Sequence, residues 1–125
     1  MLSECMIKVI AMPKDANPDG DIFGGWIMSH MDLAGAIPAR QLARQRIVTI
    51  AIDNVVFHKP VFVGDCVECH ARVEKVGRSS ITVHVTTYVE RRSNLVREKV
   101  TEGKFVYVAI DANRKPVEIV AKGTA

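Results

Sequence analysis

Gly24-Gly25-Trp26-Ile27-Met28-Ser29-His30-Met31-Asp32-Leu33-Ala34-Gly35-Ala36-Ile37-Pro38-Ala39 is followed, from Arg46 onward, by sequence of a different rhythm. Trp26, Ile27, Met28, Met31, Leu33, Ala34, Ala36 and Ile37 crowd the first stretch and leave no single polar face, the pattern of a helix buried on most sides. The helix reads from Gly24 to about Gln45. Pro38 loosens it, having no N–H for the carbonyl of Ala34, and Arg40, Arg44 and Arg46 mark its exit to solvent. Beyond Arg46 the period drops to two. Ile47 to Lys59, Asp65 to Val76, Ser79 to Arg91 and Glu98 to Ile110 are rich in β-branched and aromatic residues, with Gly64-Asp65, Gly77-Arg78 and Ser93-Asn94 between them as turns.

Upstream, Glu4 to Met12 reads as a first strand, and Pro13 to Asp21 is dense in turn formers. The order strand, helix, four strands predicts one α+β domain over residues 1–125, an antiparallel sheet of about five strands against one helix. Short turns predict that the last four strands form a meander, since parallel pairing needs long crossovers. The tail after Pro116 reads as loosely attached. One sheet cannot surround a helix that is apolar all round, so self-association is expected.

Composition narrows the partners. The chain has 125 residues, 48% hydrophobic and 25% charged, which fits one compact core and excludes disorder. Its net charge of +3 is spread along the chain, and 6% aromatic residues form no basic-aromatic platform, so no nucleic-acid partner is expected. No apolar run reaches the ~18 residues of a membrane span, and Met1-Leu2-Ser3-Glu4-Cys5 has no secretory pattern. A soluble, unprocessed, cytoplasmic protein is the expectation. Cys66 and Cys69 have C-x-x-C spacing, but residues three apart in a strand face opposite ways, so both read as structural. His58, His70 and His84 do not cluster at a metal spacing, and no metal or redox cofactor is expected.

Asp32 is the one carboxylate between Asp21 and Asp53, set inside the apolar helix. Burying such a group unpartnered costs several kcal/mol, so it calls for an explanation, and a carboxylate facing a cleft in an apolar wall suits a general base or nucleophile. Gly35 and Ala36 leave space on its face of the helix. Before it, Gly24-Gly25 at the helix start lets a ligand approach free backbone N–H groups where the helix dipole favours negative charge. Donors so aimed suit an oxyanion. A phosphate-binding loop is disfavoured because no Gly-Lys-Ser/Thr follows the glycines.

Asn17 to Asp32, with Asn-x-x-Gly-Asp-Ile-Phe-Gly-Gly-Trp-Ile-Met-Ser-x-Met-Asp, resembles the bacterial YciA-type acyl-CoA thioesterases of the hotdog fold. Asp53 to Pro60, Val63-Gly64-Asp65 and Val76 to Ser80 extend the similarity over roughly residues 8 to 111. The resemblance implies a central helix in an antiparallel sheet, sheets of two subunits joined edge to edge, active sites at that interface and often trimers of dimers. It implies Asp32 as the catalytic carboxylate and Asn17, from the facing subunit, as a residue positioning the thioester or water. Gly24 and Gly25 match the backbone donors to the thioester carbonyl. Gly77, Arg78, Ser79 and Ser80 match a segment bordering the coenzyme A chain, with a lesser match at Lys59. The implied reaction releases free coenzyme A and a carboxylate without a cofactor.

Overall fold

The computed structural model describes residues 3–120. Strand β1 (Glu4–Ile10) leads through a short 3-10 turn at Pro13–Asp15 to helix α1 (Gly24–Leu42). Strands β2 (Arg46–Phe57), β3 (Cys66–Val76), β4 (Ser80–Glu90) and β5 (Arg97–Ile110) follow. All five strands join one sheet in the order β1-β3-β4-β5-β2, each neighbouring pair antiparallel. The sequence-predicted class, one helix on one antiparallel sheet, is the observed one.

The predicted four-strand meander is corrected. Only β3, β4 and β5 run as successive neighbours; β2 lies beyond β5. Residues 58–65 therefore cross three strand spacings, about 14 Å, well inside their extended reach of about 26 Å. A buried ion pair holds this crossover, with the Arg91 guanidinium donating to Asp65 Oδ2 at 2.6 Å and to the Pro60 carbonyl at 2.9 Å. Gly64 takes a φ of +91° there, a conformation open to glycine at little cost. The crossover in turn grips the loop before the helix, because Ile22 N–H donates to the Val61 carbonyl at 2.9 Å and Asp21 bridges Phe62. This chain of contacts fixes where α1 begins.

Alternation decides the core. Val67, Cys69 and Ala71 of β3, Ile81, Val83, Val85 and Val89 of β4, and Phe105, Tyr107 and Ala109 of β5 are buried on the helix side. From α1 they meet Ile27, Met31, Ala34, Gly35, Pro38 and Ala39, one stripe at helical spacing. The expectation of burial on most sides is thus corrected within a single chain: Leu33 is 60% exposed, and Trp26, Met28 and Ile37 are half-buried. The helix continues through Pro38 to Leu42.

The expected loose tail is also corrected for residues 117–120, its remainder lying outside the described residues. Val117 N–H donates to the Ala109 carbonyl at 2.9 Å, Ile119 N–H to the Arg78 carbonyl at 2.8 Å, and Gln45 holds Glu118 and Val120 through its side chain. Ile119 packs on the core, whose apolar contact repays the ordering. No described helix is long and apolar enough to cross a membrane. Cys69 is buried and Cys66 half-buried, both free, as divergent strand positions require.

Candidate active site

Asp32 sits two turns into α1, half-buried, where β2 and β5 pass beneath the helix. Thr49 Oγ1 donates to its Oδ1 at 2.8 Å. The Tyr107 hydroxyl reaches both the Asp32 carbonyl, at 2.7 Å, and Oδ1, at 3.1 Å. Thr49 and Tyr107 are direct cross-strand partners, so sheet register brings both donors to one oxygen. A register shift follows Thr49 in β2, the kind of irregularity that aims a side chain beside a site. Burial first, and then the adjacent Asp32 charge, push the Tyr107 phenol well above its ordinary pKa, so it remains a neutral donor.

The helix start is open. Trp26 and Ile27 N–H groups turn back to the Phe23 carbonyl at 3.1 and 3.3 Å, no side chain caps the helix, and Gly24 and Gly25 N–H have no partner among the described residues. A Cβ at Gly24 would lie 3.3 Å from the Phe57 ring, whereas at Gly25 it would meet nothing within 4 Å. Phe57 thus covers one glycine, and the other faces open space.

Asn17 anchors the preceding loop. Its side-chain oxygen accepts from Asp19 N–H at 2.9 Å and Asp21 N–H at 3.0 Å, which leaves its NH2 group free of that turn. No hydrogen bond among the described residues joins Asn17 to Asp32.

The expected coenzyme A contacts fall at opposite ends of the sheet. Gly77 N–H closes a tight turn on the Ser80 carbonyl at 2.7 Å, and Ser80 pairs with Val108, next to Tyr107. Arg78 and Ser79 line a cleft of about 490 Å³ with Pro116, Val117 and Glu118. Lys59 lies past the far end of β2, where Phe57 pairs with Thr101, and its ammonium bonds Glu98 at 2.9 Å. Seven residue steps of β5, from Thr101 to Val108, separate these levels, roughly 23 Å of strand. A separate cleft of about 520 Å³ beside Phe62, Arg91 and Arg92 contains none of the expected site residues.

The fold also gathers residues that sequence spacing kept apart. Glu102 accepts from Lys99 at 2.8 Å and lies 2.8 Å from His58 and 3.4 Å from His84; the Lys99 ammonium and then His58 hold its pKa down to about 2. Donor atoms of Cys5, Glu68 and His70 come within 4.8 Å of one another, with the Arg97 guanidinium 3.8 Å from Glu68 and 3.4 Å from His70.

Residues 19–95 match the thioesterase superfamily model. The acyl-CoA thioester hydrolase YciA of Salmonella typhimurium is 42% identical over 123 residues, spanning 96% of this chain and 92% of that relative. The chain belongs to the YciA-type acyl-CoA thioester hydrolases. Among solved structures, the hexameric thioesterase from Yersinia pestis superposes on this YciA-type chain with a TM-score of 0.89 at 47% identity, covering 94% of this chain and 96% of that one. The acyl-CoA hydrolase from Staphylococcus aureus, solved with butyryl coenzyme A and coenzyme A, superposes with a TM-score of 0.82 at 30% identity over 92% and 70% of the two chains. The hotdog fold follows from these matches and from the sheet order.

Sequence reading of this YciA-type chain singled out Asp32 and missed both side chains that hold it. A signal was present for Tyr107: in the alternation Phe105, Tyr107, Ala109 it falls on the inward face, and a buried phenol needs an acceptor. Thr49 carried no comparable signal, since a threonine in a strand is commonplace.

Proposed function

We propose that this chain hydrolyses acyl-CoA thioesters to free coenzyme A and a carboxylate, with Asp32 as the group that delivers oxygen to the thioester carbon. The observation that carries this is the half-buried Asp32 carboxylate fixed by Thr49 and Tyr107 on a helix whose first N–H groups stand unpartnered. The Gly24 and Gly25 N–H groups polarise the thioester carbonyl and receive the charge that develops on its oxygen. Asp32 takes a proton from water as it attacks, or attacks the carbonyl itself to form an anhydride that water opens at the Asp32 acyl carbon. In both routes the carbon–sulfur bond breaks and the thiolate leaves with the electron pair. A single turnover in 18O-water separates them: an unlabelled first product acid marks the anhydride route.

The site takes groups from two chains in this reading. The helix rise sets Gly25 and Asp32 of one chain about 10 Å apart along the axis, while a reacting carbon held near the amides sits about 3–3.5 Å from its attacking atom. A facing copy closes that gap. Strand β2 is the docking edge: it pairs on one side only, and Ile50 (59% exposed), Ile52, Val56 and Phe57 leave it apolar and open, a state proteins ordinarily cover. Asn17 of the facing subunit then orients the thioester or water with its unused NH2 group. Arg78, Ser79 and Ser80 border the coenzyme A chain, and Lys59, at the other end of the sheet, serves from the other subunit. The Yersinia pestis relative is hexameric, which accords with dimers assembled in threes. No cofactor is needed, because water, carboxylate and amides supply each step.

The test is a panel of acyl-CoA thioesters of different chain length, assayed for thiol release. A purified, folded chain with no activity on any of them would overturn the reading.

A further inference from the structure

We propose that Tyr107 is a positioning residue for Asp32, and that Gly35 is the notch in the helix that admits it. The inference rests on the hydrolase reading above and deepens it. Tyr107 is 1% exposed, and its hydroxyl lies between the Asp32 main-chain carbonyl at 2.7 Å and the carboxylate at 3.1 Å. That double contact ties the carboxylate to the backbone of its own helix turn, through a group anchored in β5. A Cβ on residue 35 would sit 2.5 Å from the Tyr107 oxygen, 3.3 Å from its Cζ and 3.2 Å from Val85 Cγ2. Even alanine is too large there. A glycine inside a helix is less favourable than alanine, and at this position the phenol accounts for it.

The arrangement addresses a specific weakness of a helical aspartate. Its two side-chain torsions leave the carboxylate free to swing, and catalysis loses strongly when a reacting group moves by ~1 Å. Within one chain Thr49 comes from β2, which pairs on one side, whereas Tyr107 comes from β5, which is paired on both sides. The tyrosine therefore supplies the half of the clamp that is held inside the subunit whatever docks on β2. It touches Asp32 and acts through it.

Tyr107→Phe removes only the hydroxyl. Because a hydrogen bond to a charged group is worth roughly a factor of ten or more, kcat should fall about tenfold with KM held. In an Asp32→Asn background the same change should produce almost no further loss, since the group it positions has lost its charge. Gly35→Ala is the second variant; its methyl displaces the hydroxyl and should reproduce the fall in kcat. Thermal melting gives a readout free of activity: Gly35→Ala should lower the Tm in the wild-type background and lower it less beside Tyr107→Phe, where the oxygen it strikes is gone.

Wild-type kcat in folded Tyr107→Phe overturns the proposal, as does a loss of equal size with and without Asp32→Asn, the mark of a merely structural phenol. Equal Tm effects of Gly35→Ala in both backgrounds overturn the notch. A wild-type chain inert toward every acyl-CoA overturns the hydrolase reading itself, and the melting cycle distinguishes that failure from a wrong assignment of the Tyr107–Gly35 contact.

Discussion

Replacing Asp32 by asparagine separates charge from shape at the centre of the site. In the native chain Thr49 at 2.8 Å and Tyr107 at 3.1 Å donate to one carboxylate oxygen. An asparagine oxygen in the same place accepts both bonds, so the geometry survives and the negative charge is lost. Bonds to a charged group are worth about 1.5–3 kcal/mol against about 1 kcal/mol for neutral pairs, and release from desolvating a half-buried carboxylate offsets the difference in part. The net change should be on the order of 1 kcal/mol, or about 5 °C in Tm. Turnover is another matter. A positioned base contributes roughly 10²–10⁴, so thioester hydrolysis should fall at least ~100-fold.

Asp32→Ala should also fold. Tyr107 retains the main-chain carbonyl of residue 32 at 2.7 Å, and its buried hydroxyl is not orphaned. Thiol release from an acyl-CoA, corrected for the protein's own cysteines and paired with a melting curve on the same sample, reads both effects. Near-native rates in a folded Asp32→Asn or Asp32→Ala protein would falsify the assignment of Asp32, however well the rest of the geometry fits.

Mixing Asn17→Ala with Asp32→Ala subunits should recover about a quarter of native activity, because half of randomly paired dimers are mixed and each holds one intact site; exchange confirmed by mass without recovery places both residues in the same chain's site. Glu102, held down to about 2 by Lys99 and then His58, contributes stability above the ordinary carboxylate value of 4.5 and loses it as pH falls toward about 2. The gap in Tm between wild type and Glu102→Gln should therefore be present at pH 7 and close below pH ~4.5; a gap independent of pH refutes the pairing. The Cys69 thiol, pushed up to about 11 by burial, should resist alkylation at pH 8 until the chain unfolds, whereas exposed Cys5 reacts in the native state. Equal labelling rates measured by mass spectrometry contradict the placement of Cys69 in the core.

Element type was legible because period is a local property. The switch from helical spacing to alternation near Arg46 is written in adjacent residues, and the observed elements begin and end within a few positions of the expected ones. Pairing was not local. The turn signals at Gly64-Asp65 look like those at Gly77-Arg78, yet one belongs to a crossover and the other to a hairpin. What separates them is the Arg91–Asp65 pair, between residues twenty-six apart in sequence, whose worth depends on both being buried together. Residues 117–120 of the tail were misread for a related reason. Ile119 docks on the core and Gln45 satisfies the backbone of residues 118 and 120, neither of which composition near Pro116 announces.

The site shows the same division more sharply. Asp32 stood out because a charge in an apolar helix is costly wherever the helix ends up. Its partners depend on register: Thr49 and Tyr107 face each other only because β2 passes beyond β3 and β4 to pair with β5. Under the meander expectation β2 would have lain beside β3, and Thr49 would have met a β3 residue instead of Tyr107. The topological correction and the missed residues are thus one error. The same placement leaves β2 at the edge of the chain's sheet, with Ile50, Ile52, Val56 and Phe57 exposed along the strand that also carries Thr49. On the proposed assembly, a strand that carries one of Asp32's two side-chain partners and also presents an open edge couples docking to chemistry, because a copy seated on β2 constrains the strand that holds Thr49.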